Sequence, residues 1–210
     1  MKTALLLLAL ALSLAPAAQA IDTTAFQSAF GILQKARSGD SAAADASVAA
    51  FEQLLRQDPG NPLLHAYLGS SATLQGSHAL LPWNKMKYTE DGLAEIDKAL
   101  RLLGPQHDQQ NLRGVPISLE TRLVAASTFL ALPGLFKRST VGHQQLQALL
   151  THPELATSPE GFRRSVVDLA LKTARREQLP TARITAIGLL ASGSETERRA
   201  AQTQLKEIWQ

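Results

Sequence analysis

Apolar positions recur every three to four residues along most of the chain, and no stretch sustains the period-two alternation of a half-buried strand. Phe26, Phe30 and Leu33 share one face of a helix expected over Thr24 to Ser38, with Gly39 as its stop. Val48, Phe51, Leu54 and Leu55 form the apolar stripe of a second helix over Ser41 to Gln57. The turn Asp58-Pro59-Gly60-Asn61-Pro62 ends it, because two prolines forbid helical continuation. Pro62 suits the first turn of a third helix running to about Gly76. Ser77 to Asn84 reads as irregular. A fourth helix is expected from about Lys85 to Leu103, with Leu93, Ile96, Leu100 and Leu103 on one face and Gly104-Pro105 as its stop. The polar stretch from Gln106 to Val115 reads as the longest loop and the best place for a subdomain boundary.

Five more helices follow by the same reasoning: Ser118 to Leu132, Thr140 to Leu150, a segment from Ser158 to about Gln178, Thr181 to Ala191, and Ser194 to Trp209. Ser158 stands as the cap of the third of these, and Ser194-Glu195-Thr196-Glu197 has the pattern of a capping box. Asn-Gly and Asp-Gly hairpin turns are absent. The expected class is all-α, a run of short helical hairpins that must stack on one another to bury their apolar faces.

One stretch carries a more specific pattern. Phe51, Leu54-Leu55, Asp58-Pro59, Leu68-Gly69 and Gly76 are spaced as in the second helix of one tetratricopeptide repeat followed by the first helix of the next, and residues 41–104 resemble that family. Gly69 and Gly76 are seven apart, and a glycine at position 69 permits close helix approach. His65 and Ala72 depart from the pattern, standing where it favours large aromatic side chains. The doublet Ala99-Leu100 echoes Leu54-Leu55 at a separation of 45 residues, which places an insertion within Ser77 to Tyr88. The resemblance implies a TPR-like superhelix, an α-α solenoid whose concave face binds a protein or peptide. It brings no catalytic residues.

The N-terminus reads differently. Lys2 precedes a run from Ala4 to Leu14 that is apolar except for Ser13, Pro16 follows, and Ala18-Gln19-Ala20 supplies the small residues of a cleavage site. Residues 1–20 are therefore expected to be a cleaved signal peptide, with cleavage between Ala20 and Ile21 and a periplasmic or secreted product. The run is too short for a membrane span, which needs roughly 20 apolar residues. Residues 21–210 are expected to form a single helical repeat domain, TPR-like over 21–104 and built of generic hairpins over 116–210.

Composition narrows the chemistry. The 210 residues contain no Cys, so disulfides, thiolate metal sites and thiol nucleophiles are out. The formal charge of +3 is too small to imply nucleic acid or an anionic membrane as main partner. Residues 21–115 sum to −2 and residues 116–210 to +4, which would steer an acidic partner to the C-terminal half. His65, His78, His107, His143 and His152 occur singly, without the spacing that brings two imidazoles to one metal, so neither metal nor cofactor is expected. Nucleophile elbows and Walker loops are missing.

The expected role is a non-catalytic module that binds or scaffolds a protein in the cell envelope. An accessory subunit of an envelope transport or assembly system is the next reading, and an envelope hydrolase using His143 or His107 the last. The contact residues expected are His65 and Tyr67 in the repeat groove, together with Trp83, Lys85, Lys87 and Tyr88 in the insertion, where aromatic area sits beside positive charge. The competing reading of Trp83 and Tyr88 is that they fill the gap left by a lengthened hairpin.

Overall fold

A computed structural model describes residues 21–208. The expected leader, residues 1–20, lies outside the described residues. The elements in chain order are α1 (Thr23–Arg37), α2 (Ser41–Gln57), α3 (Pro62–His78), α4 (Pro82–Leu102), α5 (Gln106–Gln109), β1 (Asn111–Leu112), β2 (Val115–Pro116), α6 (Ile117–Ala131), α7 (Ser139–Thr151), α8 (Glu160–Arg176), α9 (Thr181–Ser192) and α10 (Glu195–Ile208). The class is all-α, and each long helix packs chiefly on its neighbours in sequence. No described helix is long and apolar enough to cross a membrane.

The starts of the N-terminal helices are chemical. Asp22, Asp40 and Asn61 each accept hydrogen bonds from the first free backbone N–H groups of α1, α2 and α3, donors that would otherwise lack partners. Ser194 and Glu197 form the expected capping box before α10, with the Ser194 N–H 2.7 Å from Glu197 Oε2 and the Glu197 N–H 3.3 Å from Ser194 Oγ. Ser158 departs from expectation. Its hydroxyl donates backward to the Glu154 carbonyl at 2.7 Å, and Pro159 takes the cap position of α8 without a side-chain bond. That helix ends at Arg176, short of Gln178, because Gln178 adopts a left-handed backbone at φ 55°.

The region expected to be irregular, Ser77 to Asn84, is mostly helical. α3 runs on to His78 and α4 begins at Pro82, so the extra residues lengthen two helices and leave a break of only residues 79–81. Pro82 at the first helical position makes this early start free of cost, since its missing N–H would be unpaired anyway. Glycines hold the two helices together along their length. A Cβ on Gly92 would stand 2.5 Å from the Gly69 carbonyl oxygen and 2.9 Å from the Thr73 side chain, and a Cβ on Gly76 would stand 2.6 Å from Thr89 Oγ1. Gly69 thus serves the close approach expected of it.

The stretch from Gln106 to Val115 is likewise not a plain loop. It holds the one-turn α5 and a minimal antiparallel hairpin pairing Leu112 with Val115 and Asn111 with Pro116. Arg113 and Gly114 make its two-residue turn, with φ of 56° and 78°, the backbone a twisted hairpin requires. Arg-Gly is an unfamiliar pair for that turn.

Two helices are buried on nearly all sides. α3 and α6 pack against each other, and most of their residues are buried, polar ones included. Phe26, Phe51, Leu63 and Tyr67 anchor a core in the N-terminal half, and Leu149, Leu155, Val166 and Ile187 anchor another in the C-terminal half. α6 feeds both, Ile117 and Val124 into the first and Leu119, Ala126 and Leu130 into the second.

Replacing Gly92 with Ala forces a methyl group into backbone. Such overpacking costs about 1–3 kcal/mol, set against a gain of up to ~1 kcal/mol in helix propensity. Urea unfolding should show a net loss. Gly31→Ala in α1, with nothing within 4 Å of the new methyl, should instead stabilise by about 0.5–1 kcal/mol.

Candidate functional site

The six residues expected to make contact separate into three places. His65 is buried between α3 and α4, its Nδ1 2.6 Å from Glu95 Oε2 and its Nε2 2.9 Å from the Pro59 carbonyl oxygen. A carbonyl only accepts, so Nε2 carries the hydrogen, and the ring pins the Asp58–Asn61 turn to α4. It lines neither of the cavities described below, contrary to its expected place in a groove. Trp83, 66% exposed, Lys85 and Lys87 sit on the first turns of α4, and Tyr88 is half-buried beside them. Lys87 pairs with Asp91 at 2.7 Å and lies over the Tyr88 ring. Trp83 at that exposure fills no gap. Leu80, Leu81 and Met86 are also exposed, so the tip of the α3–α4 hairpin presents an apolar cluster studded with lysine.

Tyr67 is the third place, and it leads to the site. Its ring stacks on Phe51 with centroids 5.2 Å apart and meets Phe26 and Phe30 edge-on at 5.3 and 5.7 Å. These contacts join α1, α2 and α3. Its hydroxyl donates to Glu120 Oε1 on α6 at 2.6 Å, and the same oxygen accepts from Arg113 Nη2 at 2.5 Å. Glu120 Oε2 is buried without a hydrogen-bond partner. The Arg113 guanidinium lies 5.0 Å from the Phe26 ring centre and 5.1 Å from that of Phe30. Ion pair and ring contacts together offset the ~1–2 kcal/mol that a side-chain-bearing residue loses in the left-handed region.

Tyr67, Arg113 and Glu120 line a concavity of about 420 Å³ together with the apolar Phe30, Leu123, Phe162 and Leu169 and the polar Gln34, Arg37, Ser127 and Ser165, from α1, α6 and α8. A second cavity of about 370 Å³ adjoins it, bounded by α3 and α6 and walled by Ser70, Thr73, Ser77 and Leu132 among others. Arg37, in the last turn of α1, and Ser127, on α6, belong to both walls. Helices α1, α3, α6 and α8 thus line one continuous face.

Electrostatics distinguish the groups. Burial pushes the Glu120 carboxyl above its ordinary pKa, against the opposing pull of the Tyr67 hydrogen bond and the Arg113 charge. Burial, and then the neighbouring Glu120 charge, drives the Tyr67 phenol well above its usual value. Nearby protein lowers the Arg37 pKa from the ordinary arginine value by desolvation, although the residue is exposed to solvent. Its only hydrogen bond is a long one, 3.4 Å from Nη2 to Ser70 Oγ, and no described carboxylate pairs with it.

Neither wall contains histidine, and none of the serines on them hydrogen-bonds an imidazole. His143 lies elsewhere, its Nε2 2.5 Å from Glu177 Oε1 and its Nδ1 2.6 Å from the Ser139 carbonyl oxygen; His107 accepts the Gly104 N–H at 2.9 Å. No group of three or more His, Asp or Glu among the described residues is arranged to hold a metal ion. Comparison of the chain with family models, curated proteins and solved structures finds no match.

Arg37, Arg113 and Glu120 were not among the expected site residues. Glu120 carried no local signal: Ile117-Ser118-Leu119-Glu120-Thr121 is buried at every position through the packing of α6.

The raised pKa of Glu120 sets a pH dependence. Between the ordinary carboxylate pKa and the raised folded value, the folded state binds more protons than the unfolded one, so this residue's contribution makes stability fall as pH rises through that window. Urea midpoints measured across the window should slope downward with pH more steeply for the natural protein than for Glu120→Gln, whose amide oxygen still accepts from Tyr67 but does not titrate.

Proposed function

We propose that this protein is an exported, non-catalytic binding module of the cell envelope, a degenerate TPR-like stack that receives a segment of another protein along the face of α1, α3, α6 and α8. The observation that carries this reading is the pair of adjoining cavities on that face, about 420 and 370 Å³, joined at Arg37 and Ser127. Each falls within the 300–1,000 Å³ typical of ligand pockets. The largely apolar wall with a few converging polar groups is the composition such sites have. The sequence supports export through the leader pattern of residues 1–20 and supports the stack through the repeat spacing of residues 41–104. The exposed Leu80–Met86 tip begins three residues beyond Ser77, a wall residue of the second cavity, and extends the contact surface with Trp83, Lys85, Lys87 and Tyr88.

Blocking the face tests this. Ser165 is exposed on α8, lines the larger cavity and bonds only the Gly161 carbonyl of its own helix, so Ser165→Trp fills the space without opening the core. Photo-crosslinking from position 127 in the native envelope should yield a discrete adduct that falls about tenfold in the blocked variant and is unchanged by Glu52→Trp, exposed on α2 and lining neither cavity, a tenfold loss being ~1.4 kcal/mol. Trp83→Ala combined with Lys87→Ala should lower the same adduct while circular dichroism stays that of the natural protein. An adduct indifferent to Ser165→Trp, or turnover by the pure protein that one substitution abolishes, would remove the reading.

A further inference from the structure

The charged groups lining the two cavities are two guanidiniums, one carboxylate and the neutral Tyr67 phenol. Arg113 is matched by Glu120. The wall therefore keeps one uncompensated positive charge, and it belongs to Arg37, the residue shared by both cavities. An exposed guanidinium on the wall of both cavities, lacking an acid among the described residues, is complementary to one carboxylate brought by a ligand.

The hydroxyls say what else the ligand carries. Thr73, Ser77 and Ser127 donate their hydrogens to the Ser70, Leu74 and Val124 carbonyls at 2.8, 2.7 and 3.0 Å, which leaves their oxygens as acceptors along the cavity wall. Glu120 Oε2 is a further acceptor without a donor. Three hydroxyl acceptors beside one cation, on walls that also carry the Gln34 amide and the Thr128 hydroxyl, fit a chain of N–H groups bearing an acid. A fatty or other simple organic acid has the carboxylate and no N–H donors.

Resting on the binding role proposed above, we infer that the occupant is a polypeptide segment with an acidic residue whose carboxylate pairs with Arg37. An apolar side chain beside that residue enters the cavity of Phe30, Leu123, Phe162 and Leu169, and main-chain N–H groups lie along the Thr73, Ser77 and Ser127 hydroxyls.

The test uses the purified protein and two pools of acetylated, amidated hexapeptides, one with Asp and the other with Asn at the third position, the remaining positions drawn from Ala, Leu, Phe and Ser. Dodecanoate serves as the non-peptide acid. Calorimetry should show the Asp pool binding about 10- to 100-fold more tightly than the Asn pool, the range a charge-assisted pair supplies. Arg37→Gln should erase that preference with helicity unchanged, and Arg37→Lys should restore part of it. Equal binding of the two pools, blocked by Ser165→Trp, would overturn the acid anchor and leave the segment-binding role standing. Dodecanoate bound through Arg37 in place of either pool would overturn the choice of a polypeptide. Failure of every probe to bind would remove the binding role and this inference together.

Discussion

A carboxylate placed where water does not reach must be answered by donors, and the N-terminal half of this protein is arranged around one such answer. Glu120 on α6 takes its hydrogen bonds from Tyr67 on α3 and from Arg113 on the two-residue turn of the β1–β2 hairpin. Tyr67 then stacks on Phe51 and meets Phe26 and Phe30 edge-on, so four helices meet at one phenol. Losing either donor would leave a buried charge with fewer partners, a penalty usually larger than the worth of the pair itself. The hairpin exists in the same frame, because its left-handed Arg113 is held by the carboxylate on one side and two rings on the other.

Much of this frame could be read from residues, and the unread part has physical causes. Phe51, Leu54, Pro59 and Gly69 marked the α2–α3 hairpin because helical spacing and a proline turn act locally. Gly69 announced a close approach, but its partner Gly92, 23 positions on, gave no sign within its own helix. The early start of α4 at Pro82 was missed because Ser77 to Asn84 read as irregular, when proline at the first helical position was the stronger cue. Glu120 was hidden because one acid in an amphipathic helix ordinarily faces water; its burial follows from α6 being enclosed by two cores, a property of tertiary packing alone. Tyr67 was singled out for its type and place, yet the carboxylate that its hydroxyl bonds lies 53 positions away.

The lengthened α3–α4 hairpin links packing to exposure. Its glycine contacts at positions 69, 76 and 92 keep the two helices in register to their far end, and His78 reaches back to the Ala36 carbonyl at 3.4 Å. Beyond that point nothing among the described residues covers the chain, and Leu80 is 94% exposed.

Arg37 and Arg113 occupy the same wall and do opposite work. Arg113 spends its charge on Glu120 and its flat face on two aromatic rings, so its positive charge is matched before any ligand arrives. Arg37 sits one hydroxyl away from having no partner, in surroundings that disfavour its charge yet leave a path to solvent. The Arg37 guanidinium is exposed and has no matching acid among the described residues, so its charge adds little to the fold by itself. Arg113 therefore belongs to the architecture, and Arg37, at the junction of the two cavities, is the charge that the architecture leaves unmatched.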